Sequence, residues 1–277
     1  GDGVNKKMWA PGDRVAVRLL YNCGECYYCR TGHANLCERA QKKPVREGLL
    51  IGPGGLCDYV IVNTGYLFKI PDTLSYEEAS LTEPLACVVH SVTKANIQLG
   101  EDVVVIGGGI MGQYHVMLAK RRGARVIMSE VDESRRALAR KLGADITFNP
   151  MEKDPVEYVK SLTEGRGADV VFNTTAIPSV VPQAIAMTGK AGRMIQYSSM
   201  HPDAPAPVSP QMLHGNEPIL TGSISPDVHD FFTANRLLSG GIIDCKPLIA
   251  KKFPFEQAQQ AFEAAIVPGT FRVIITD

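Results

Sequence analysis

The sequence predicts an α/β protein: a doubly wound parallel sheet joined to a second lobe built around a closed metal loop. Three observations carry that prediction. A short apolar run, Val103-Val104-Val105-Ile106, leads directly into the glycine turn Gly107-Gly108-Gly109-Ile110-Met111-Gly112. More short apolar runs, separated by helical stretches, follow it toward the C-terminus. Ahead of it, four cysteines crowd into fifteen residues: Cys23, Cys26, Cys29 and Cys37.

The chain opens on Gly1-Asp2-Gly3-Val4, and Met8 is its first methionine. Pro11-Gly12-Asp13 reads as a turn, and Arg14-Val15-Ala16-Val17 as a strand with no obvious earlier partner. A strand that opens a domain without its pairing partners leads to the expectation that an N-terminal piece is absent.

The cysteines follow a C-x-x-C-x-x-C-x7-C spacing. Four thiolates so close in sequence can close a tetrahedral shell around one zinc ion. Such a shell keeps no open position, so the metal is structural rather than catalytic. Disulfides fit less well. No signal peptide is visible, and the cysteines total seven, an odd number. Bridges between neighbours three apart would close very small, strained loops. His33 lies inside the loop as a rival ligand, but four thiolates already fill the shell, so it reads as a solvated loop histidine.

Val103–Ile106 has the continuous apolar character of a strand buried on both faces. After the glycine turn, Gln113 to Arg122 reads as a helix stopped by Gly123, and Arg125 to Ser129 as a second strand ending at Glu130. This is G-x-G-x-x-G in its strand–turn–helix–strand context, with an acid 23 residues after Gly107. Gly107 allows the tight turn, Gly109 lets backbone approach a pyrophosphate, and Gly112 lets helix and strand pack closely. The helix start at Ile110 and Met111 offers free N–H groups and partial positive charge to the phosphates. Glu130 accepts hydrogen bonds from adenosine ribose hydroxyls and repels a 2′-phosphate, which favours NAD over NADP. Arg135 and Arg136 count against that preference, because a nearby arginine can accept the phosphate.

Four further strands are predicted: Ile146–Phe148, Asp169–Phe172, Arg193–Tyr197 and Pro218–Gly222. Helices over Ser134–Leu142 and Pro155–Leu162 separate some of them. Six strands with intervening helices make a doubly wound sheet, whose ligands bind beyond the carboxyl ends of the strands. That places Thr174, Thr175 and Ala176, then Tyr197, Ser198 and Ser199, then Ser223 and Ile224, along the cofactor cleft.

Composition excludes other classes. Twenty-nine basic and twenty-nine acidic residues cancel, and no basic stripe invites nucleic acid. No apolar run approaches the ~20 residues that span a bilayer. Seven cysteines without a secretory segment suggest a reducing cytoplasm.

A four-cysteine loop followed by a dinucleotide fold resembles the zinc-dependent medium-chain alcohol, polyol and threonine dehydrogenases, over essentially the whole chain. Pro11-Gly12-Asp13-Arg14-Val15 is similar to the family's turn and strand before the zinc loop. Glu83-Pro84-Leu85-Ala86 is similar to its segment leading into the helix before the nucleotide domain. The resemblance implies a Rossmann domain over 83–227 and a truncated GroES-like β-barrel catalytic domain over 1–82, to which 228–277 returns. It implies that Arg272 aims at the pyrophosphate and that Arg135 lies against the adenosine. It also implies a second, catalytic zinc with Glu83 as a ligand, direct or through water; the residues alone favour reading Glu83 as a helix-start carboxylate. The family's other ligands are a cysteine and a Gly-His-Glu segment from the N-terminal part; no cysteine precedes Cys23 and no Gly-His-Glu occurs in this sequence, so turnover of the chain as given is expected to be weak or absent. Family polyol dehydrogenases commonly place an arginine near the last strand of the sheet. Gly222-Ser223-Ile224-Ser225-Pro226 has none, which weakens sorbitol in particular. A secondary alcohol, whether polyol, sugar alcohol or amino alcohol, is the expected substrate, and a homodimer or homotetramer the expected assembly.

Overall fold

A computed structural model describes residues 4–40 and 55–276. Gly1, Asp2 and Gly3, from the opening segment discussed above, lie outside the described residues. Two compact units emerge from the contacts: Gly1–Cys87 with Ile224–Lys246, and Val88–Ser223 with Pro247–Asp277.

In the first unit, β1 (Val15–Val17) pairs antiparallel with β2 (Leu67–Lys69), with Ala16 opposite Phe68. The predicted turn before β1 is present: Gly12 takes a positive φ, and the Asp13 side chain accepts from the Ala10 N–H. Phe68 is buried against Phe231 of the helix Val228–Ser239, ring centroids 4.8 Å apart. A closed barrel is not formed by the described residues of this unit; their strand pairing is the three-residue ladder of β1 and β2.

The second unit contains the parallel sheet. Its strands are β3 (Asp102–Ile106), β4 (Arg125–Ser129), β5 (Ile146–Phe148), β6 (Ala168–Asn173), β7 (Thr188–Gln196) and β8 (Ile219–Gly222). They lie in the order β5-β4-β3-β6-β7-β8, every neighbour parallel. This is the doubly wound order of a Rossmann sheet, reversing direction between β3 and β6. β3 is buried along its whole length, as its unbroken apolar run requires. The intervening helices start at designed caps. Asp132 accepts from the Arg135 N–H at the head of Glu133–Leu142, and Asp154 from the Glu157 N–H with Pro155 in the first turn.

β7 begins five residues earlier than the predicted Arg193. Its first half, Thr188-Gly189-Lys190-Ala191-Gly192, reads as a turn but joins the ladder through a register shift opposite Ala168 and Val170. The C-terminal residues also group differently from the expected 228–277 segment. β9 (Ile249–Pro254) and β10 (Arg272–Thr276) pair in parallel, joined by the crossover helix Ala258–Ala265, and this βαβ unit clusters with the sheet. Residues 224–246 cluster instead with the first unit, through contacts such as Phe68–Phe231.

Candidate functional site

In the first unit the four cysteines meet. The Sγ atoms of Cys23, Cys26, Cys29 and Cys37 all lie within 4.8 Å of one another. Cys23 and Cys29 are 4.0 Å apart at sulfur, and Cys26 and Cys37 3.9 Å. A tetrahedron with zinc–sulfur bonds of about 2.3 Å has edges of about 3.8 Å, so the donor set fits zinc. Backbone N–H groups of Glu25 and Cys26 point at the Cys23 sulfur, at 3.4 and 3.3 Å. They pull its pKa down to about 6. Burial, with the neighbouring sulfurs, pushes Cys29 up to about 12. His33 is exposed and stands outside the group. All seven cysteines are free thiols.

Glu83 lies in the first turn of the helix Thr82–Ala95 and lines a cavity of about 220 Å³ with Val15, Val17, Tyr76 and Phe231. Its Oε1 accepts from the Cys87 thiol at 3.3 Å. Among the described residues the four-cysteine cluster is the only group of three or more metal-ligating side chains. The donors present around Glu83 therefore do not fit a catalytic zinc.

In the second unit the glycine turn is built as the sequence requires. Gly107 has φ +98°, and its N–H donates to Ser129. A Cβ on Gly112 would collide with the Gly107 carbonyl oxygen. A Cβ on Gly109 would meet nothing within 4 Å, leaving the open space a phosphate needs at the start of the helix Ile110–Arg121. Ile110 and Met111 form the first, half-buried turn of that helix.

Glu130 sits at the end of β4, only 6% exposed. One carboxylate oxygen accepts from the Gly108 N–H at 2.5 Å, the other from the Asp132 N–H at 2.9 Å. A carboxylate offers about four acceptor positions, so both oxygens can still receive ribose hydroxyls. Arg136, weighed above as a phosphate acceptor, is buried. It donates to the carbonyls of Glu130 and Val131, at 2.6 and 2.7 Å, and pairs with Glu133. Arg135 is free of such ties, and its Nε is buried without a partner.

The other strand ends are stitched together. Thr174 Oγ1 donates to the Ile106 carbonyl at 2.8 Å, and Thr175 donates to the Asn173 side chain. Asn173 in turn donates to Gln196, and Gln196 to the Ser198 carbonyl. The Tyr197 ring meets the edge of His115 at 4.8 Å. Ala176 is exposed just beyond Thr175. Ser223 donates its N–H to Gln196, and its Oγ is buried without a partner. Ser223 Oγ and Arg135 Nε are polar atoms of the kind a bound dinucleotide satisfies. Ile224 departs from the group: it clusters with the first unit, its carbonyl accepting from Asn35. Arg272 opens β10 beside Ile249.

Three contributors escaped the sequence reading: Gln113, Asn173 and Gln196. Asn173 and Gln196 close the strands Ala168–Asn173 and Thr188–Gln196, and Gln113 follows directly on the glycine turn. Their places at the carboxyl strand ends and beside the turn were the available signal.

The chain matches the models for the alcohol dehydrogenase GroES-like domain over residues 1–72 and for zinc-binding dehydrogenases over residues 111–240. It is 32% identical to D-arabitol-phosphate dehydrogenase of Enterococcus avium, over 99% of this chain and 77% of that protein. It is also 32% identical to L-threonine 3-dehydrogenase of Caldanaerobacter subterraneus subsp. tengcongensis, over 99% and 78%. A solved structure from Sinorhizobium meliloti 1021, assigned as a zinc-binding dehydrogenase and bound to NADP, superposes with a TM-score of 0.88. It shares 28% identity, and the match covers all of this chain and 80% of that one. No helix among the described residues is long and apolar enough to cross a membrane. With its Rossmann sheet, glycine turn and four-cysteine loop, the chain belongs to the zinc-type medium-chain dehydrogenase family.

Proposed function

We propose that this chain is an oxidoreductase that moves a hydride between a secondary alcohol and NAD. The observation that carries the reading is the turn Gly107–Gly112 with the Glu130 carboxylate seated on the Gly108 N–H. Bound nicotinamide would supply the hydride acceptor. The chain's own residues do the holding. The first turn of Ile110–Arg121 faces the pyrophosphate, Glu130 takes the ribose hydroxyls, and Thr175, Tyr197, Ser198 and Ser223 line the strand ends. Arg272 is assigned to the pyrophosphate by its place in the family pattern. NAD is preferred over NADP because Glu130 is fixed and Arg136 is spent on the carbonyls of Glu130 and Val131.

The substrate class is a polyol, sugar alcohol or amino alcohol, the common ground of a D-arabitol-phosphate and an L-threonine dehydrogenase. Seven free thiols suit a reducing cytoplasm. A homodimer or homotetramer is the assembly we assign, to be checked by sedimentation.

A second reading, a dinucleotide-binding protein without turnover, is favoured by the surroundings of Glu83, where the described residues bring the Cys87 thiol but no group of three metal ligands. Metal analysis with a turnover assay separates the two. Two zincs per chain and oxidation of a secondary alcohol support the enzyme. One zinc, NAD binding and no turnover support the binding protein. Failure to bind NAD at all would sink both.

A further inference from the structure

Gly108 is the hub on which the nucleotide-reading side chains meet. Its N–H donates to Glu130, and its carbonyl accepts from Gln113 Nε2 at 3.0 Å. A Cβ placed on it would lie 2.8 Å from Glu130 Cγ and 3.2 Å from Arg135 Cβ. The acid that favours a free ribose and the arginine that would welcome a 2′-phosphate thus flank one glycine.

Gln113 holds this arrangement. It is fully buried, and the same Nε2 also donates to the Arg135 carbonyl at 3.0 Å. Both acceptors are carbonyl oxygens, so only the amide nitrogen can face them and the orientation of the side chain is fixed. Its Oε1 is left without a partner. One side chain therefore ties the glycine turn to the helix that carries Arg135. A hydrophobic residue of equal length would fill the space and hold neither carbonyl.

We propose that Gln113 is a positioning residue for NAD-over-NADP discrimination. It fixes Gly108, and through it the spacing of Glu130 and Arg135. The inference rests on the dinucleotide reading above and adds a fully buried residue to the side chains assigned to the nucleotide. Releasing the clamp frees the Arg135 helix to shift relative to the turn. Glu130 then loses its fixed seat, while Arg135 gains reach toward a 2′-phosphate.

The test is isothermal titration of the full chain with NAD, NADP, ADP-ribose and 2′-phospho-ADP-ribose, for wild type, Gln113→Met and Gln113→Glu. Methionine keeps the length without the donor. Glutamate sets a carboxylate against two carbonyl oxygens, and serves if the methionine variant does not fold. Loss of two hydrogen bonds to buried carbonyls should weaken NAD about tenfold. NADP should weaken less or gain, so the NAD:NADP ratio narrows. Adding Glu130→Ala to the Gln113→Met chain should cost less discrimination than the two changes summed, since both act on one seat. Equal weakening of both nucleotides, an unchanged ratio or strict additivity would overturn the proposal and leave the cofactor reading intact. If wild type bound none of the four ligands, the cofactor reading itself would fall.

Discussion

In the sheet unit Val103, Val104 and Val105 have no solvent exposure, whereas in the zinc-loop unit Tyr59 and Ile61 are 93% and 89% exposed. The first unit's paired strands are three residues long. The second has a six-stranded ladder flanked by helices. Burial of apolar surface holds one; the other concentrates its order where four sulfurs converge. All seven cysteines fall in the first unit and none in the second.

Zinc removal should break the comparison most sharply. Structural zinc supplies on the order of 10 kcal/mol of apparent folding energy in small zinc domains at pH 7. Chelation, or Cys37→Ser, should expose residues 23–40 to proteolysis and hydrogen exchange. Protection of β3, β4 and β6 should survive, and with it NAD binding. Simultaneous loss of protection in both units would show that the zinc loop supports the sheet as well.

Gly112→Ala strikes the sheet unit at the tightest glycine approach among the described residues. The added methyl has no room beside the Gly107 carbonyl. The turn must open, at a cost of about 3 kcal/mol, the top of the overpacking range. Denaturant unfolding should show that loss in the sheet transition, with zinc content unchanged.

Acid should also separate the units. His115 is fully buried, and burial pushes its pKa down to about 4 from 6.5. Its Nδ1 lies 2.8 Å from the Met111 carbonyl, so the proton sits there, and Nε2 accepts from Ser91. The unfolded chain takes up a proton near pH 6.5 that the folded chain refuses until about pH 4. The stabilisation is therefore whole above pH 6.5 and drains away as pH falls toward 4. Between pH 7 and pH 5 the loss is about 2 kcal/mol. Unfolding of His115→Gln should show a flatter pH slope over that window. An identical slope would mean that the histidine is already charged in the fold.

The same contrast explains what could be read in advance. Strands β3 to β6 fall within a residue or two of their predicted places; in β3, β4 and β6 a buried core of the strand writes an unbroken apolar run. β7 was half hidden, since Thr188-Gly189-Lys190-Ala191-Gly192 carries turn residues into a bulged ladder. Gly107 and Gly112 were legible because only glycine fits there, one at φ +98° and the other against the Gly107 carbonyl oxygen. Gln113 and Asn173 were not: their partners are backbone carbonyls and a distant Gln196, brought close only by the fold. Glu83 shows the opposite limit, a residue conspicuous by resemblance that, among the described residues, meets the Cys87 thiol but joins no group of three metal ligands.

Gly109→Ala should have the smallest effect on stability and still be informative, because it separates fold from function within one turn. Gly109 has φ −65° and ψ −178°, a conformation alanine adopts freely. Its Cβ would meet nothing. The change costs only the lost capping preference of glycine, about 0.5 kcal/mol. Yet the methyl would project into the space where backbone must approach a pyrophosphate. NAD affinity should fall at least about tenfold while the unfolding midpoint barely moves, with each tenfold step worth about 1.4 kcal/mol. Gly112→Ala should do the reverse in order, with stability lost first and binding lost through it. If Gly109→Ala left NAD binding unchanged, the phosphates would have to sit elsewhere. The open space at Gly109 would then be an ordinary turn, and the sheet unit would lose its strongest claim to a cofactor.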